Sequence, residues 1–184
     1  TIDGTLNNTN AAVSLPGADI SNIENINIRN VATSAAAGDV LTINASTLPG
    51  ATAINADRAT GALTLTNVAN TTSVGLIGNS ILTNGALTAT YATAATSPIL
   101  NIAGGTTAGA VSVTAAGATS FTVNSTGAAN TIGTLAAPGS ATSTMTVNAD
   151  TNLTTGAITT AVKQINVSGL ATKVTLGAIT DATL

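Results

Sequence analysis

Short apolar pulses separated by turn residues run the length of the chain, at 23–28, 40–43, 53–54, 63–65, 74–77, 87–91, 99–102, 111–113, 121–123, 132–135, 145–147, 153–158, 165–167 and 174–176. Their centres lie roughly 9–15 residues apart, the rhythm of an all-β chain. Within many pulses apolar and polar residues alternate strictly. Leu63-Thr64-Leu65 and Val111-Ser112-Val113 each place two apolar side chains on one face of a strand and a hydroxyl on the other. The alternation turns Ile26, Ile43, Ile54, Leu65, Val113, Val123, Val147 and Val167 inward. No apolar recurrence at the helical period is present, and Thr, Asn and Gly are poor helix formers, so no long helix is predicted.

The pulses often end alike. Ile43-Asn44, Ile54-Asn55, Val123-Asn124 and Val147-Asn148 put an Asn directly after a β-branched residue, and two of them continue identically, as Asn55-Ala56-Asp57 and Asn148-Ala149-Asp150. An Asn leaving a strand can satisfy turn backbone groups with its amide. Stacked coil upon coil, the same residue can form an amide ladder. Hairpin signals are sparse: Asn84-Gly85 is one good two-residue turn, and the Pro-Gly pairs at 16–17, 49–50 and 138–139 mark broader bends. The pattern predicts an all-β parallel β-solenoid over residues 21–184, with residues 1–20 as a lead-in segment. An antiparallel β-sandwich is the alternative. With two to three strands per coil, the stack holds roughly five to seven coils.

Composition favours the thinner architecture. Thr and Ala each make up about a fifth of the 184 residues, charged residues are 6% and aromatics 1%. Phe121, Tyr91 and Met145 are the sole residues of their types, and Trp is absent. A single broad core needs larger side chains than these, whereas a solenoid core one or two side chains wide is filled by Val, Ile, Leu, Ala and Thr. A mean hydropathy of +0.45 argues against disorder. Net charge is −3, and the four cations Arg29, Arg58, Lys163 and Lys173 are too few to neutralise a nucleic-acid backbone or to form a polybasic membrane patch. No apolar run approaches the length of a membrane-spanning helix. The start at Thr1-Ile2-Asp3, with neither Met nor a basic-then-apolar leader, suggests a processed protein or a piece of a longer one.

The residue types of most catalytic chemistry are missing. With no His and no Cys, imidazole acid–base work, a Ser-His-Asp triad and thiolate chemistry are excluded. Glu24 is the only glutamate, and only Asp19 and Glu24 pair two carboxylates at short spacing, too little for glycosidase or lyase chemistry. Glycines such as Gly104-Gly105 lack the strand–loop–helix context of a phosphate cradle. Calcium is the one metal to consider, since carbonyls, Asn, Asp and water can ligate it. Among the candidate turn carboxylates Asp19, Asp39, Asp57 and Asp150, the duplicated Asn-Ala-Asp favours Asp57 and Asp150. Thr-x-Thr occurs at 64–66, 88–90, 142–144 and 144–146. Regular Thr arrays suit ice binding, but the motif shifts in phase along the chain, so these residues read as ordinary strand surface.

Segments such as Ile23-Glu24-Asn25-Ile26-Asn27-Ile28, Ser73-Val74-Gly75-Leu76-Ile77-Gly78-Asn79 and Thr146-Val147-Asn148-Ala149-Asp150-Thr151-Asn152 resemble the Thr/Ala/Asn-rich central region of RTX-type S-layer and related surface proteins of Gram-negative bacteria, exported by the type I route. The resemblance implies a parallel β-solenoid, lateral self-assembly into a homo-oligomeric lattice or fibre, and calcium-dependent ordering. It further implies an extracellular, cell-surface location and anchoring to a surface polysaccharide through a region outside this chain. The C-terminal β-roll repeats of that family are missing. The expected function is therefore a non-enzymatic, self-assembling structural protein, with an adhesin stalk as the alternative.

Overall fold

Each pulse becomes a strand, and every strand pair is parallel. The computed structural model describes residues 2–6, 13–14, 23–32, 40–140, 143–171 and 173–181. In chain order the strands are β1 (Ile2–Leu6), β2 (Val13–Ser14), β3 (Asn25–Asn30), β4 (Leu41–Asn44), β5 (Ala53–Asp57), β6 (Leu63–Val68), β7 (Ser73–Ile77), β8 (Thr83–Asn84) and β9 (Leu87–Tyr91). They continue as β10 (Ile99–Ala103), β11 (Thr107–Thr114), β12 (Ser120–Thr126), β13 (Asn130–Ala136), β14 (Thr144–Ala149), β15 (Leu153–Thr159), β16 (Gln164–Ser168), β17 (Val174–Thr175) and β18 (Ile179–Thr180). The single helical element among the described residues is one 3-10 turn, Ala45–Thr47, whose N-cap Asn44 accepts from Ser46 N.

The chain winds into a β-solenoid of about six turns. One sheet, A, runs β1-β3-β5-β7-β10-β12-β14-β16. The other, B, runs β17-β15-β13-β11-β9-β6-β4-β2, with β18 and β8 paired to β15 and β11. Parallel pairing throughout removes the antiparallel sandwich. It also corrects the reading of Asn84-Gly85 as a hairpin turn, because Asn84 lies in β8, paired in parallel with β11. Most of the expected lead-in, residues 1–20, lies outside the described residues. Its two described pieces, β1 and β2, pair with β3 and β4.

Registry aligns like with like and makes the core. In sheet A, Ile26, Ile54, Val74, Leu100, Val123 and Val147 form one inward column. In sheet B, Leu41, Leu63, Leu87, Val111, Leu135 and Ile158 form another. All twelve are buried. One inward assignment needs correction: Val167 continues the sheet A column but is 49% exposed. It sits on β16, the last strand of its sheet, and no described strand stacks beyond it. Tyr91 fills the core beside β10, its hydroxyl within reach of Thr72 O at 2.9 Å and Ile99 O at 3.3 Å, and burial pushes its pKa up to about 12.

A glycine column runs through sheet B. Gly61, Gly85, Gly109, Gly133, Gly156 and Gly177 stack coil on coil. A Cβ at Gly133 would stand 2.5 Å from Gly109 O, so the backbones approach too closely there for any side chain. The strict alternation slips by one residue at this column in β11 and β13, then resumes. The column belongs to a repeated word in the sequence: Gly-Ala-Leu-Thr at 61–64 and 85–88, Gly-Ala-Val-Ser at 109–112, and Gly-Ala-Ile-Thr at 156–159 and 177–180.

Candidate functional site

The two outward sheet faces differ in how their polar side chains are used. On sheet A the register places Asn27, Asn55, Gly75, Asn101, Asn124, Asn148 and Ser168 in one column. Their side chains bond to one another. Asn55 Nδ2 donates to Asn27 Oδ1 at 3.0 Å, Asn124 Nδ2 to Asn101 Oδ1 at 2.8 Å and Asn148 Nδ2 to Asn124 Oδ1 at 3.0 Å. Ser168 Oγ donates to Asn148 Oδ1 at 2.8 Å. This is the amide ladder that the recurrent Asn suggested, but within the strands rather than at their exits. Gly75 interrupts it, and a Cβ there would stand 2.9 Å from Asn101 O.

Sheet B carries hydroxyls. Thr83, Thr107, Thr131, Thr154 and Thr175 form one column. Thr42, Thr64, Thr88, Ser112, Ala136, Thr159 and Thr180 form a second. Two positions further along, Asn44 faces Thr66 and Thr90 faces Thr114. The Thr-x-Thr motifs at 64–66 and 88–90 are in register at Thr64 and Thr88, and the pairing shifts between Leu65 and Val68. Thr144-Met145-Thr146 lies in β14 of the other sheet, which is why the motif looked shifted in the linear sequence, and Thr142 lies outside the described residues.

Charge gathers at one corner. Arg58 Nε and Nη2 donate to the two carboxylate oxygens of Asp57, each at 2.8 Å, and Arg29 Nη2 lies 3.6 Å from the same carboxylate. The Arg58 hydrogen bond, with the charges of Arg58 and Arg29, holds the Asp57 carboxyl below the usual aspartate value against the opposing effect of burial. Arg29, Val31, Arg58, Thr60, Asn79 and Leu82 line an open groove of about 360 Å³ beside it. A third ion pair, Lys163 Nζ to Asp181 at 2.7 Å, is exposed on its lysine side.

The two expected calcium ligands are not brought together. Asp57 ends β5 and Asp150 follows β14, four strand steps away in sheet A, about 19 Å at the usual spacing. Asp57 does not fit calcium, because its oxygens already face two guanidinium cations that a divalent ion would have to displace. Asp150 is exposed and retains an accessible carboxylate. Among the described residues no group of three or more His, Cys, Asp or Glu side chains is placed to hold a metal.

The Asn bonds span 23, 24 and 28 residues, one coil in each case. Comparing the sequence with itself at an offset of about 24 residues, a solenoid-length period, aligns the glycine words and the hydroxyl columns. Comparison with known protein families, with curated proteins and with solved structures gives no match.

Proposed function

We propose that this chain is a structural building block of an extracellular surface layer or fibre, assembled from copies of itself. The observation that supports this most is the distribution of charge. The outward face of sheet B carries no charged residue among the described residues, whereas sheet A bears Arg29 and Asp57 at one corner, Asp3 in β1 and Asp150 directly after β14. Broad, flat faces of Thr, Ala, Gly and Asn can meet without desolvating ions and with little loss of rotamer entropy. A parallel solenoid also supplies a stiff rod with a fixed coil spacing, which suits a repeating array. Calcium ordering of the assembly is assigned to Asp150, with further oxygens from neighbouring copies.

Light scattering and electron microscopy of the purified chain over rising concentration, with and without calcium, test the reading. Ordered sheets or fibres are expected. A monomer that persists at every concentration and in both conditions, as a solitary stalk would, overturns it.

A further inference from the structure

We propose that the outward face of sheet B is the surface through which two copies of this chain pack, face against face. This rests on the self-assembly reading above and names the face that assembly uses. The contrast with sheet A carries the argument. The Asn column there spends its amides on its own neighbours. On sheet B the hydroxyls of Thr64, Thr88, Ser112, Thr107 and Thr131 form no hydrogen bond within the chain and point away from the core. Each is both donor and acceptor, so a face of such groups is complementary to itself.

Size and charge favour a second copy as the occupant. Seven rows at ~4.8 Å and eight residues of strand at ~3.3 Å make the hydroxyl face about 29 Å by 23 Å. Two copies would bury ~1,300 Å² in total, at the lower end of what specific interfaces need. The chain is acidic overall, so copies repel one another least where the face carries no charge. A two-fold axis normal to the rows brings column onto column, because both copies carry the same row spacing.

The chain has no cysteine, so single substitutions report the contact directly. Thr88→Cys and Ser112→Cys lie mid-face, and Thr122→Cys on the outward face of sheet A is the control. Under mild oxidation the first two should give disulfide-linked dimers in high yield and the third should not. Thr88→Lys should raise the concentration needed for assembly at least tenfold while leaving Tm unchanged. If the wild-type chain assembles but Thr88→Lys assembles equally well, or Thr122→Cys cross-links preferentially, the face assignment fails and self-assembly stands. If the wild-type chain stays monomeric, both fail. Inhibition of ice growth by that monomer, abolished in Thr88→Lys, would assign the hydroxyl array to an ice surface instead.

Discussion

Asn124 stands between two copies of itself in the fold: its Nδ2 donates to Asn101 Oδ1 at 2.8 Å and its Oδ1 accepts from Asn148 Nδ2 at 3.0 Å. The three residues sit in adjacent strands at one register, so a bond made once is repeated by the winding. Asn124 and Asn148 each spend one donor and one acceptor along the stack, whereas Asn27 and Asn101 only accept and Asn55 only donates.

Asn124→Ala breaks two of these bonds and should lower stability by about 1–2 kcal/mol. Asn27→Ala breaks one and should cost about half as much. Urea midpoints at unchanged slope give the comparison. Equal losses for the two variants would show that the ladder is not what stabilises the face.

Val147 and Val167 occupy successive places in one column yet differ in burial, 0% against 49% exposed. Val147→Asp puts an unpaired carboxylate between the sheets and should cost upwards of ~3 kcal/mol. Val167→Asp should stay within about 1 kcal/mol. Similar melting temperatures for both variants would contradict the boundary of the core.

The glycine column makes a sharper contrast. Gly133→Val places its Cβ against the Gly109 carbonyl, a backbone group that cannot turn aside, and should cost about 1–3 kcal/mol. A Cβ at Gly109 meets nothing within 4 Å, so Gly109→Ala should be neutral or stabilising by up to ~1 kcal/mol. Thermal melts of the two variants read the difference directly, and a loss at Gly109 comparable to that at Gly133 would contradict it.

Strand positions were legible because two-residue alternation is local: Leu63-Thr64-Leu65 and Val111-Ser112-Val113 need only their own side chains to declare a face. The parallel winding was legible from the recurring Asn, whose ladder partners lie 23–28 residues away. What was not legible is the arrangement between coils. Coil length varies, with Ile54 paired to Val74 but Leu76 to Ile102, so a motif constant in space drifts in sequence. The hydroxyl columns keep a steadier offset and were hidden because sheet A strands lie between their successive members in the sequence. The surroundings of Asp57 were hidden for another reason: its neighbours Arg58 and, one coil away, Arg29 pair with its carboxylate. Arg58 was adjacent in sequence and could have warned of this, whereas Arg29 meets Asp57 only through the winding.

Asp57 gives the fold an acid-sensitive joint. Its carboxyl is held below the ordinary aspartate value of 3.8, first by the Arg58 hydrogen bond and then by the charges of Arg58 and Arg29. The folded protein therefore binds this proton less readily than the unfolded chain does. The resulting stabilisation is complete above the unfolded value and is lost as pH falls below about 4 toward the depressed folded value. Asp57→Asn removes the charge while keeping the shape, so it should melt well below the wild-type protein at pH 7, and the gap should narrow as the pH drops below about 4. Arg58→Gln should narrow the same way, since it removes the largest cause of the shift. Melting temperatures of the three proteins between pH 7 and pH 2.5 provide the check. A gap that stays constant across that range would mean that Asp57 is protonated as easily in the folded chain as in the unfolded one, and that the guanidinium pairing contributes nothing to stability.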